Sequence, residues 1–169
     1  MKSMYFDTDF GTIIPDDSNI INKPFMGGFN KPKIQWIDWD YDGDDDLFLL
    51  DEDGSIKYYK NHGCIGEECL FELVTTSFKE INNISWFYIA DFNQDNSFEI
   101  ITQDTENLSA MMYYESNFIN GSIILEQVDI VLDVGGDIVE SDPVMVPTFI
   151  DIDGDDDLDF FTGNSVGTV

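Results

Sequence analysis

Apolar residues along this chain come in short clusters rather than in long helical stripes. Phe71 to Thr76, Trp86 to Ile89, Ile123 to Leu125 and Val128 to Leu132 have high β propensity and are separated by Gly, Asn, Asp and Pro, the punctuation of strands and turns. Three segments share one pattern, an apolar pair, then an acidic loop of nine residues, then a second apolar run. Trp36-Ile37 precede Asp38 to Asp46, and Leu47 to Leu50 follow; Ile89-Ala90 precede Asp91 to Glu99, and Ile100-Ile101 follow. In the third, Phe149-Ile150 precede Asp151 to Asp159, and Phe160-Phe161 follow. The loops begin at 38, 91 and 151, so the unit recurs at spacings of 53 and 60 residues.

The similarity extends past the loops. Gly54-Ser55-Ile56 begins eight residues after Asp46, and Gly167-Thr168-Val169 begins eight after Asp159. Tyr58-Tyr59 follow on the returning strand of the first unit, and Tyr113-Tyr114 come two residues later relative to Glu99. An insertion of two in a hairpin turn preserves which side chains face inward, because strand side chains alternate. Units of this length with about four strands each predict β-propeller blades, which bury their faces on neighbouring blades; a sandwich is the alternative. The expected fold is therefore all-β, an incomplete propeller with approximate repeats at 24–80, 81–140 and a truncated 141–169. Residues 1–23 are then a leading segment or a strand of a preceding blade. The third unit stops at Val169, two residues into its returning strand, so the sequence reads as a fragment whose first partners are the remaining blades of the same chain.

Composition narrows the partners. The 169 residues are 43% hydrophobic and 14% aromatic, enough for a sizeable core. With 35 Asp and Glu against 7 Lys and Arg, the net charge of -28 repels nucleic acid and anionic membrane and favours cations. No apolar stretch approaches the roughly 18 residues that span a bilayer, and the start, MKSMYFDTDFG, carries acids where a signal peptide is apolar. A soluble chain is expected, without membrane insertion. Cys64 and Cys69 lie in one Gly-containing loop, spaced either for a small disulfide or for two free thiols, and too few for a zinc site.

Fifteen of the 35 acidic residues fall within the 27 positions of the three loops, too concentrated for an ordinary solvated surface. Oxygens at positions 1, 3 and 5 of a tight loop converge on one point, a carbonyl at 7 can join them, and a carboxylate at 9 closes the shell. Hard oxygen donors in a flexible loop suit calcium better than magnesium. The candidate ligands are Asp38, Asp40, Asp42, Asp44 and Asp46; Asp91, Asn93, Asp95, Ser97 and Glu99; and Asp151, Asp153, Asp155, Asp157 and Asp159, for about three calcium ions. Counting charges at 1, 3, 5 and 9 ranks the outer loops above the middle one, which carries neutral Asn93. An EF-hand is excluded, since position 12 is Leu49, Thr102 or Thr162 instead of Glu and the flanks are β-like.

These loops resemble the FG-GAP and VCBS repeats of integrin-α-like propellers and secreted bacterial surface proteins. Asp38, Asp40, Asp42 and Asp46, and likewise Asp151, Asp153, Asp155 and Asp159, match the family's loop pattern; the middle loop matches with Asp91, Asn93 and Asp95 but ends in Glu99. Pro24-Phe25-Met26-Gly27-Gly28-Phe29-Asn30 before the first loop and Gly54 to Asn61 after it are also similar, so the resemblance covers roughly 24–169. It implies calcium-binding blades in an extracellular or cell-surface protein, with a protein or carbohydrate ligand.

Catalytic chemistry is not evident. The one histidine, His62, reads as an exposed turn residue beside Gly63, and neither a phosphate-cradling glycine loop nor a basic patch is present. Trp39 and Tyr41, between ligand positions, are expected to pack on a neighbouring blade, with stacking on a sugar as the alternative. Trp36 and Trp86 are expected on strands and in the core. The favoured function is a non-catalytic calcium-binding module for adhesion or ligand binding; the alternative is an accessory propeller of an exported polysaccharide lyase or lipase.

Overall fold

The computed structural model describes residues 4–7, 12–15, 28–65, 68–119 and 122–163. Residues 1–30 and 31–169 form separate units. In the first, β1 (Met4–Asp7) pairs antiparallel with β2 (Thr12–Pro15). The Pro24 to Gly27 stretch and the Gly167 to Val169 match lie outside the described residues.

The second unit is all-β. One four-stranded antiparallel sheet runs in chain order through β3 (Lys33–Ile37), β4 (Asp46–Leu50), β5 (Ile56–Ile65) and β6 (Glu68–Thr75). A second repeats this with β7 (Phe87–Ala90), β8 (Glu99–Gln103), β9 (Met111–Ile119) and β10 (Ser122–Ile130). β11 (Thr148–Ile150) and β12 (Asp159–Phe161) form a two-stranded third. Each acidic loop joins the first and second strands of its sheet. These meandering sheets are propeller blades, and no closed ring forms among the described residues.

The two-residue insertion falls where the sequence places it. Leu47 pairs with Tyr59 and Phe48 with Tyr58, while Ile100 pairs with Tyr114 and Ile101 with Tyr113. The two tyrosine pairs are thus equivalent, and the longer turn between Gln103 and Met111 absorbs the difference. The shorter turn, between Leu50 and Ile56, needs Gly54. It adopts φ +72°, and a Cβ there would come 3.1 Å from the Asn83 Cα of the linker. That linker crosses to the second sheet through a single 3-10 turn, Phe78–Glu80.

The core lies between sheets. Trp39, Phe48, Tyr58 and Phe78 pack against Phe87, Ile89 and Ile100 of the second sheet. Phe48 meets Phe78 edge-on at 5.0 Å and stacks on Tyr58 at 4.8 Å, geometries in which aromatic pairs gain beyond area burial. A second cluster joins Trp86, Ile101 and Met111 to Phe149 of the third.

The innermost strands carry a repeated cross-link. Gln35, three residues before the first loop, hydrogen-bonds both the N–H and the carbonyl of Ile89; Tyr88, three residues before the second, donates to the Phe149 carbonyl at 3.1 Å. One amide side chain thereby completes the backbone pairing of a neighbouring strand, which otherwise leaves polar groups unsatisfied at the sheet edge.

Three expectations need correction. Trp36 lies on β3 but is 49% exposed, because alternation turns it away from the face that packs on the second sheet; there its ring meets Phe71 edge-on at 5.7 Å. Trp86 is core, at 2% exposed, but precedes β7 instead of lying on a strand. His62 is in β5, not in a turn, because the β5–β6 hairpin extends past it, and its Nε2 lies 2.9 Å from Glu72 Oε2. Cys64 stands opposite Cys69 in that hairpin and is disulfide-bonded.

This packing separates two tryptophans three residues apart. Replacing Trp39 with Ala should cost about 3–5 kcal/mol in urea denaturation, as for a large buried side chain, whereas Trp36→Ala should cost at most about 1 kcal/mol. Similar losses at both would refute the placement of the core.

Candidate metal centres

The three loops share much of their local bonding. Position 1 organises each of them by accepting two backbone N–H bonds. Asp38 accepts from Asp42 and Gly43, both at 3.0 Å; Asp91 accepts from Asp95 at 3.1 Å and Asn96 at 2.9 Å. Asp151 accepts from Gly154 at 2.6 Å and Asp156 at 3.2 Å. Position 5 then accepts the N–H of position 7 in every loop: Asp42 from Asp44, Asp95 from Ser97, Asp155 from Asp157. Short acidic side chains suit these local bonds, which replace a regular backbone ladder.

The backbone turns left-handed at positions 4 and 6 of each loop: Tyr41 and Gly43, Gln94 and Asn96, Gly154 and Asp156. Glycine adopts this conformation without strain and Asn and Asp tolerate it, whereas Tyr41 and Gln94 do so at a cost of about 1–2 kcal/mol each. Both are held there by the next loop. Tyr41 Oη donates to the Asn96 carbonyl at 3.2 Å, and Gln94 Nε2 donates to the Asp156 carbonyl at 2.5 Å. Position 4 of one loop therefore bonds position 6 of the next. Trp39 and Tyr41 also stack on Phe98, position 8 of the second loop, at 6.1 and 5.3 Å. The two rings pack between loops, as expected.

Carboxylate oxygens converge in three groups: Asp38, Asp40 and Asp42; Asp91, Asp95 and Glu99; Asp151, Asp153 and Asp159, within 4.8 Å in each. Of the acidic candidates, Asp44, Asp46, Asp155 and Asp157 stand outside these groups. Asn93 bonds Asp95 through its amide at 3.1 Å. Asp46, buried at the start of β4, accepts the Asn61 N–H at 2.7 Å and the Tyr58 hydroxyl at 2.9 Å. Burial raises its carboxyl above the ordinary range, opposed by those bonds. Its counterparts Glu99 and Asp159 each accept the N–H of position 2, from Phe92 at 2.7 Å and Ile152 at 3.0 Å, and still reach their groups. A residue outside the acidic pattern also enters the first group: Lys60 of β5 pairs with Asp40 and with Asp42, the latter at 3.2 Å.

Whether a cation fits is decided by the donors. Asp40 Oδ1 is buried without a hydrogen-bond partner, a costly state that a metal would relieve. Burial pushes Glu99 from 4.5 up to about 7, with Asp95 and Asp91 adding to the rise against the Phe92 bond. A hydrogen bond shared with Asp155 raises Asp157. Crowded all-oxygen sites of this kind fit a hard divalent cation, and calcium tolerates the irregular geometry best.

Residues 38–102 match the family model of the FG-GAP-like repeat, a span covering the first two loops, strands β4 to β7 and most of β8. No curated protein and no solved structure gives a significant match.

The position of Glu99 sets a pH dependence for the metal-stripped protein. A carboxyl whose value is raised on folding contributes stability that is full below about 4.5 and is lost as pH rises through about 7. The melting temperature without metal should fall across that window, and Glu99→Gln should remove part of the fall. A Glu99→Gln profile parallel to that of the native chain would exclude this group as its source.

Proposed function

The chain carries an FG-GAP-like repeat over residues 38–102, and from that premise we propose that it is a calcium-binding propeller module, non-catalytic in itself, working outside the cell in adhesion or ligand binding. The observation that carries the reading is the recurrence of an acidic loop three times, each gathering three carboxylates drawn from positions 1, 3, 5 and 9. Asp38, Asp40 and Asp42 would hold one ion, Asp91, Asp95 and Glu99 a second, and Asp151, Asp153 and Asp159 a third. The ion supplies charge compensation, and these residues supply the oxygen shell and fix the backbone around it.

Further support comes from the hairpin and the surface. The bonded Cys64 suits an oxidising compartment, where calcium is abundant enough for sites of modest affinity. No helix among the described residues is long and apolar enough to cross a membrane. His62 is engaged with Glu72 rather than with a nucleophile, which accords with a binding role. The ligand would meet a strongly acidic surface, which favours a basic protein face or a neutral carbohydrate.

Calorimetric titration of the metal-stripped chain with calcium should show about three sites in the micromolar to millimolar range. Calcium at about 100 times its Kd should then stabilise the fold by about 2.7 kcal/mol per site. Asp151→Ala should remove one site. A flat titration would overturn the proposal.

A further inference from the structure

We propose that Lys60 is a tethered cation of the first loop, neutralising its carboxylates in the absence of calcium and competing with calcium for them; this rests on the calcium reading of the loops. The Lys60 ammonium contacts Asp40 and lies 3.2 Å from Asp42 Oδ2, two of the three carboxylates of the first group. Its stem is part of β5, so the charge is delivered by a strand already fixed by its pairing with β4 and β6. Among the described residues, no lysine or arginine forms an ion pair with the second or third group.

The contrast with the second sheet is set by register. Leu47 pairs with Tyr59, which puts Lys60 across from Asp46, the ninth position of the first loop. In the second sheet the ninth position, Glu99, pairs with Glu115. The same place in the blade therefore carries a lysine in the first sheet and a glutamate in the second.

An ammonium offers one charge and three donors, whereas calcium brings two charges and takes six to eight oxygens. Calcium therefore displaces Lys60 when it binds, and its affinity is reduced by the free energy of the contacts given up. By linkage, whatever Lys60 contributes to the metal-free loop is subtracted from calcium binding there. The first loop should thus fill after the second, the reverse of the order obtained by counting carboxylates alone. Lys60 also offsets part of the repulsion in the first loop when calcium is scarce, through ion pairs that neither of the other two groups makes with a lysine among the described residues.

The test is calcium titration of the native chain beside Lys60→Met and Lys60→Arg, with melting of each metal-stripped protein. Lys60→Met should tighten the weakest calcium step about tenfold and lower the metal-free melting temperature, while Lys60→Arg retains native behaviour. If Lys60→Met fails to fold, Lys60→Gln carries the same expectations. A native chain that binds calcium with an unchanged or weakened last step in Lys60→Met would overturn the role of Lys60 and leave the calcium reading intact. Absence of calcium binding in every protein would overturn both.

Discussion

Carboxylates held within a few ångströms of one another are the constraint around which the rest of this fold is arranged. Two such charges about 4 Å apart repel by roughly 4 kcal/mol at an effective dielectric of 20, and each loop gathers at least three. The backbone answers part of this repulsion directly. Asp38, Asp91 and Asp151 each accept two N–H bonds, so the first carboxylate of every loop is neutralised in part by the turn it creates. The remainder is met differently from blade to blade: by Lys60 in the first, and by the raised pKa of Glu99 in the second.

Within the nine positions, two tasks alternate. Positions 1, 3, 5 and 9 bear the oxygen donors, and positions 2, 4 and 8 build contacts between blades. Trp39 and Tyr41 clasp Phe98, and Phe92 packs in one cluster with Leu158. A short loop can do both because its backbone turns left-handed twice, sending successive side chains to opposite sides. The inner strands add a second seam, with Gln35 bonding Ile89 and Tyr88 bonding Phe149.

The sequence alone makes the repeat legible because strand alternation and loop spacing are local properties. The 53- and 60-residue periods, the strand–loop–strand unit and the equivalence of Tyr58 and Tyr113 all follow from counting. What escapes is whatever depends on which face has a neighbour. Trp36 has the composition of a core residue and lies on the outward face of its sheet. Lys60 looks like any surface lysine until register sets it across from Asp46. Asp46 itself fits the ligand pattern, yet it is surrounded by donors from Tyr58 and Asn61 that lie on a different strand. The bonds from Tyr41 to Asn96 and from Gln94 to Asp156 join residues 55 and 62 positions apart, separations at which no pattern in the chain announces a partner.

Those same bonds tie the metal chemistry to the architecture. In the first two loops position 4 lies on the backbone between the gathered carboxylates, and its side chain reaches the next loop. Fixing the first loop thereby orients Tyr41 toward Asn96, and fixing the second orients Gln94 toward Asp156. The third loop has Gly154 at position 4, so it receives such a bond and has no side chain with which to pass one on. Each such bond couples the two loops it joins, and that coupling is reciprocal. The gathered carboxylates and these contacts between blades thus share the same short stretch of chain.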